Sequence, residues 1–152
     1  KHPEDQGKDL EITQRACEKF QGLPVTVVNY LEGTRFTPAK HAQQQSPYRN
    51  LLKPKSGGIA FVIAALGKQM HTVLDVTIVY PGARPPGFWA LVSGQVPHVI
   101  VDIHECELPE ALLEGDYSGD PHYREHFQRW VSDLWQRKDQ RIDQLRSESD
   151  QA

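Results

Sequence analysis

Two β-branched runs constrain this chain more than any other feature. Residues 25–31 read Val-Thr-Val-Val-Asn-Tyr-Leu and residues 73–80 read Val-Leu-Asp-Val-Thr-Ile-Val-Tyr. Branching at Cβ restricts χ1 and suits a pleated, packed surface, so the first run predicts a buried strand and the second a further strand. Between them Gly57-Gly58 opens an apolar run, Ile59 to Leu66, closed by Gly67. It reads as a buried helix, with a strand as the alternative. Upstream, Leu10, Thr13, Cys17 and Phe20 recur at helical spacing, predicting a helix over 10–21 that ends at Gly22-Leu23-Pro24. Phe36 to Lys55 has no period and carries Pro38, Pro47 and Pro54, so it reads as a long ordered loop, a common seat of function.

The second half adds turn chemistry at Pro81–Gly87, then Phe88–Ser93 and Val96–Ile103 across Gly94-Gln95, which predicts a hairpin. In its second arm His98, Ile100, Asp102 and His104 alternate with Val99, Val101 and Ile103, the mark of a half-exposed strand. Asp120 and Pro121 suit the cap and first position of a last helix, whose stripe is Phe127, Val131, Leu134, Ile142 and Leu145, flanked by Trp130 and Trp135. The expectation is α/β: a mixed β-sheet with flanking helices and a long C-terminal helix, in one domain over 1–146, with a frayed polar tail at 147–152.

Size and charge exclude several classes. A chain of 152 residues suits one domain of ordinary size. The longest apolar run is far short of a membrane span, and the opening Lys1-His2-Pro3-Glu4 has no apolar leader core, so the chain itself is expected to be soluble. The missing initiator Met suggests a processed form or a piece of something longer. Cys17 and Cys106 make no disulfide framework, which fits a reducing compartment. The net charge of −3 is bland, but its distribution is not. From Gly33 to Leu74 there is no acid and there are six bases, Arg35, Lys40, Arg49, Lys53, Lys55 and Lys68; from Pro85 to Tyr123 seven acids face no Lys or Arg. Two solvated faces of opposite sign would explain this, and so would a basic surface that attracts an anion. A nucleic-acid groove is not expected, because the total charge is negative and the basic window is poor in aromatic residues.

The chemistry-bearing stretch is Glu32-Gly33-Thr34-Arg35, where the first strand runs out. Gly33 permits a turn or a close approach, Thr34 brings a hydroxyl, and Arg35 brings a planar fork suited to phosphate. An ordinary turn with a Glu–Arg ion pair is the alternative. This block resembles the third sequence block of the glycerolipid acyltransferases, the lysophosphatidic acid acyltransferase family. Phe36-Thr37-Pro38-Ala39-Lys40-His41, Leu51-Leu52-Lys53-Pro54-Lys55, Asp75-Val76-Thr77-Ile78-Val79-Tyr80 and Trp135-Gln136-Arg137-Lys138-Asp139 look like the branch that holds many eukaryotic lysophospholipid acyltransferases. The resemblance runs from about Gly22 to Asp139.

It implies transfer of a fatty acyl group from acyl-CoA or acyl carrier protein to a lysophospholipid hydroxyl, with no further cofactor. It also implies an acceptor-phosphate site. Arg35 would pair with the phosphate, Glu32 would hold Arg35 or an acceptor hydroxyl, and Gly33 and Thr34 would shape the corner. Lys53 and Lys55 would meet donor phosphates or an anionic membrane face, unless they are plain solvated lysines. The family's catalytic block, His-x4-Asp, is absent: the residue five after each of the seven histidines is never Asp. The family's second block, with its own Arg, is likewise not found. The expectation is therefore a C-terminal portion of an acyltransferase domain, inactive alone. Its parent would be held at the cytoplasmic face of a membrane through an N-terminal part. A non-catalytic module that binds an anionic lipid headgroup or a partner through the same corner is the alternative.

Two other patterns compete. His122-Tyr123-Arg124-Glu125-His126 matches H-x-x-E-H and would put two histidines on one helix face, but a third ligand is wanting, so no metal is expected. His104-Glu105-Cys106 indicates no Cys–His pair. Tyr48, Trp89, Trp130 and Trp135 are the large aromatics outside the strands; Trp130 and Trp135 lie five apart, so one is expected in the core and the other at an interface, with a docking surface as the alternative.

Overall fold

The computed structural model describes residues 19–20, 22–70, 72–80, 86–96 and 98–151. The helix expected over 10–21 lies almost wholly outside them, as does most of the turn at 81–87. The elements run α1 (Pro38–Gln44), α2 (Ser56–Leu66), β1 (Val73–Val79), α3 (Phe88–Val92), β2 (Ile100–Cys106) and α4 (Pro121–Asp150). This is a small α/β arrangement in which one antiparallel pair, β1–β2, forms the sheet among the described residues.

α4 is the spine. The Asp120 carboxylate accepts from the His122 and Tyr123 backbone N–H groups, and Pro121 follows at the first helical position, as the sequence predicts. Tyr123, Phe127, Val131, Leu134, Trp135, Ile142 and Leu145 are buried along one stripe. Each such side chain contributes about 1.5–3 kcal/mol by leaving water. The helix continues through Asp150, so residues 147–150 are helical rather than frayed; continuing an established helix adds one hydrogen bond per residue fixed. At its N-terminal end the Tyr123 hydroxyl donates to the Leu112 carbonyl, and a Cβ on Gly115 would stand 2.2 Å from the Tyr123 ring. α2 is the predicted buried helix: Ala60, Ile63 and Leu66 are buried, and Ser56 Oγ lies 2.7 Å from Tyr117 Oη.

The sheet departs from expectation in three ways. Residues 25–30 form no strand and are exposed, Val28 at 70% and Tyr30 at 82%. A strand needs a ladder neighbour, and among the described residues β1 and β2 pair only with each other. The sheet among those residues is one antiparallel pair, where a mixed sheet is expected from the sequence. Phe88–Val92 is a short helix, not a hairpin arm: Ser93 and Gln95 return backbone bonds to Trp89 and Ala90, and Gly94 takes the left-handed φ of +72° that ends the turn. β2 accordingly pairs with β1, from Val73 opposite Cys106 to Val79 opposite Ile100.

The pair is also inverted in polarity. Asp75, Thr77, Asp102 and Cys106 lie on the half-buried or buried phase facing α4, while Leu74, Val76, Ile78, Val101 and Ile103 are exposed. The strand alternation read from β2 is real, but its polar phase faces the protein. The charges there are paired. Lys138 Nζ donates to Asp75 Oδ1 at 2.5 Å, to Thr77 Oγ1 and to the Val76 carbonyl. Arg141 holds both oxygens of Asp102, and His104 Nε2 lies 2.6 Å from one of them.

Candidate functional site

The 31–40 corner is built by a turn and a cap. Leu31 is buried, and its carbonyl accepts from the Lys55 backbone N–H at 2.7 Å. Gly33 closes the turn onto the Tyr30 carbonyl with φ +64°, a left-handed conformation glycine adopts at no steric cost. A Cβ on Gly33 would meet Lys55 Cδ and Nζ at 3.2 Å, so the Lys55 side chain lies across the turn. Thr37 then caps α1, accepting from the Lys40 N–H, with Pro38 at the first position. This helix lies inside the segment expected to be loop; Thr37-Pro38 was the signal that could have found it.

The cap swings Lys40 back over the corner. Its ammonium donates to Thr34 Oγ1 at 2.6 Å and to the Arg35 carbonyl at 3.2 Å. Arg35 itself is exposed and makes no ion pair among the described residues. α2 begins directly after Lys55, with Gly58 close to the Asn29 side chain and no acid in its first turn, so its positive dipole end adjoins the corner. Lys40 and Lys55 thus bring positive charge to Thr34 and Gly33, and Arg35 is exposed next to them in the chain. Lys40 belongs to the basic window of the sequence, but its place at the corner is visible only once α1 is formed.

Glu32 faces the other way. It is half-buried and makes no pair with Arg35 among the described residues. Burial pushes its carboxyl above the ordinary value of 4.5, while the Leu52 backbone N–H and the Lys138 ammonium pull it down. Lys53 is exposed, and its backbone N–H donates to Gln44 Oε1. Of the expected residues, the structure brings Gly33, Thr34 and Lys55 together with Lys40, leaves Arg35 open at the same turn, and turns Glu32 inward.

The loop behind the corner is held by α4. The Asp139 carboxylate accepts from the Arg49 and Asn50 backbone N–H groups at 2.8 and 2.7 Å, and Trp135 Nε1 donates to the Leu52 carbonyl at 2.9 Å. Asn50 Nδ2 reaches Asp143 Oδ1, and Arg146 reaches Asn50 Oδ1. A concavity of about 660 Å³ lies between the polar sheet face and α4, lined among others by Asp75, His104, Cys106, Arg137 and Lys138. Burial raises the Cys106 thiol above its ordinary value, so this cysteine is a poor nucleophile. His122 and His126 are exposed on α4, and no group of three or more potential metal ligands occurs among the described residues.

The chain is similar to several known proteins. The chain is 25% identical over 134 residues to the 2-acyl-1-lysophosphatidylinositol acyltransferase of Saccharomyces cerevisiae, covering 76% of this chain and 32% of that protein. It is 27% identical over 129 residues to lysocardiolipin acyltransferase 1 of Mus musculus, covering 78% and 32%. It is 29% identical over 117 residues to 1-acyl-sn-glycerol-3-phosphate acyltransferase 2 of Brassica napus, covering 68% and 30%. The chain spans about a third of the length of these relatives. No family model matches it, and no solved structure does. Over most of its length the chain is similar to several lysophospholipid and 1-acyl-glycerol-3-phosphate acyltransferases at once, at 25–29% identity, which supports the acyltransferase family.

Proposed function

We propose that residues 31–55 form the acceptor-phosphate corner of an acyltransferase that moves a fatty acyl group from acyl-CoA or acyl carrier protein to a lysophospholipid such as lysophosphatidic acid. The observation that carries this reading is the convergence of Lys40 and Lys55 on the Gly33–Thr34 turn, with Arg35 exposed beside it and no acid between residues 33 and 74. A phosphate monoester offers three acceptor oxygens. The Arg35 fork supplies two parallel donors, the Lys55 ammonium covers the turn, and Gly33 lets the backbone approach. Lys40 holds Thr34 and the Arg35 carbonyl, fixing the turn from behind.

The general base lies outside this chain in this reading. No histidine here stands five residues before an Asp, so residues 1–152 alone bind the acceptor but do not turn over. A preceding portion of the same domain would bring His-x4-Asp, the His taking the proton from the acceptor hydroxyl and the Asp orienting it. The same portion would bring the parent to a cytoplasmic membrane face. The apolar face of β1–β2, exposed among the described residues, and the exposed residues 25–30 support a partner of that kind. Among the described residues no helix is long and apolar enough to cross a membrane.

The test is acyl transfer to lysophosphatidic acid by the full reading frame that contains this chain, wild type against Arg35→Ala. A loss of about 10–100-fold in kcat/KM with the fold intact is expected for one charged phosphate contact. Unchanged activity would make the corner structural. A wild type that binds anionic headgroups but transfers nothing would favour a non-catalytic binding module, which the missing His-x4-Asp also fits.

A further inference from the structure

We propose that Trp135 and Asp139 are positioning residues for the cationic corner: one turn of α4 grips the 49–52 loop, and that grip sets Lys55 across Gly33. The inference rests on the reading of the corner as a phosphate site. Trp135 and Asp139 stand four apart, so both side chains leave the helix on one face. Asp139 caps two consecutive backbone N–H groups, those of Arg49 and Asn50, and its own carbonyl accepts from Asn50 Nδ2. Trp135 takes the Leu52 carbonyl with an indole N–H that is itself buried. Leu52 is fully buried, so residues 49–52 are held at both backbone donors and acceptor.

Three residues later the chain is pinned again, by Lys55 N–H on the Leu31 carbonyl at 2.7 Å. Little slack separates these anchors, because Pro54 fixes one φ and restrains Lys53 before it. Lys138, in the same turn of α4, binds Asp75, Thr77 and the Val76 carbonyl, so the gripping turn is itself tied to β1. The corner therefore takes its geometry from a helix whose first residue, Pro121, lies 66 residues beyond Lys55. A change in that turn that leaves α4 folded displaces Lys55 without touching any residue of the corner.

The experiment uses the 152-residue chain labelled with 15N and glycerol 3-phosphate as the probe. Asp139→Asn removes the charge and one of the two acceptors at constant shape; Trp135→Phe removes the indole N–H and stands in if the first variant fails to fold. Tyr123→Phe, which removes the hydroxyl bond to the Leu112 carbonyl at the N-terminal end of α4, is the control for stability alone. The expected result in the ligand-free chain is displaced amide signals at Gly33 and Lys55 in Asp139→Asn and undisturbed ones in Tyr123→Phe. With the probe, Asp139→Asn should bind about tenfold more weakly, and Tyr123→Phe within twofold of wild type. Unmoved Gly33 and Lys55 signals in both loop variants, or equal displacement in Tyr123→Phe, would overturn the inference. A wild type that does not bind glycerol 3-phosphate would instead overturn the phosphate reading, and the ligand-free signals would still decide the grip.

Discussion

Lys138 and Asp75 form an ion pair at 2.5 Å with side chains only 9% and 16% exposed, on the face of the sheet that packs against α4. A pair so nearly dry gains little net stability over apolar residues of the same shape, but losing one partner strands the other. Lys138→Met is therefore expected to cost about 3 kcal/mol in urea unfolding. Adding Asp75→Leu should return most of it. If Lys138→Met unfolds at the wild-type midpoint, the pair does not hold β1 to the helix.

The two carboxylates at Glu32 and Asp102 should have opposite acid dependence. The Arg141 hydrogen bond comes first among the causes that hold Asp102 below its ordinary 3.8, so the folded state binds its proton less readily than the unfolded chain. Its stabilisation is present above that ordinary value and is lost as pH falls through the depressed folded value. Burial raises Glu32 above 4.5, so between that value and the raised one the folded state holds more protons than the unfolded chain. Its contribution grows as pH falls through that window. Chemical unfolding from pH 7 to 3 should show Asp102→Asn flattening the acid loss. Glu32→Gln should be no less stable than wild type at pH 7 and lose that advantage near pH 4. Parallel curves for both variants would contradict the assignment.

Gly33→Ala should damage stability and binding together. A left-handed φ costs an alanine about 1–2 kcal/mol, and the new methyl group displaces Lys55 from 3.2 Å. Glycerol 3-phosphate titration should weaken by at least as much as in Lys55→Met. Retained affinity in Gly33→Ala would show that Lys55 need not lie over the turn.

The outer face of β1–β2 should be adhesive. Val76 and Ile103 face each other across the ladder and are both about half exposed. Val76→Lys with Ile103→Glu places opposite charges on neighbouring strands and removes apolar surface, at little cost to a face that packs on nothing among the described residues. Light scattering should find self-association in the wild type that rises with concentration and vanishes in the double variant. A monodisperse wild type at high concentration would count against an interface there.

The sequence made α2, β1 and α4 legible because each carries its own signal: an apolar run between glycines, a β-branched run, and an Asp-Pro cap before a 3.6-residue stripe. It misled at residues 25–30 and 88–92, where composition describes a strand but pairing decides whether one forms. Val99, Val101 and Ile103 marked β2 by alternation, yet period alone does not say which phase is inside. Asp102 and Asp75 are inside because Arg141 and Lys138, some 40 to 60 residues away, neutralise them. The corner was legible at Gly33, Thr34 and Arg35 from local chemistry. Lys40 needed the helix cap that aims it, and the inward turn of Glu32 needed Leu52 and Lys138, neither of which lies near it in the chain.

The single bond from Lys55 N–H to the Leu31 carbonyl closes a ring of chain whose interior holds Arg35, Lys40, α1 and the gripped loop. Ring closure of this kind grows costlier only with the logarithm of length, about 0.6 kcal/mol for each doubling. Length inside the ring is therefore not what limits insertion there. The local bonds do: Thr37 caps the helix that aims Lys40, and Gln44 accepts from the Lys53 N–H, so an insertion that breaks α1 would lose the aim of Lys40 while the Leu31–Lys55 closure held.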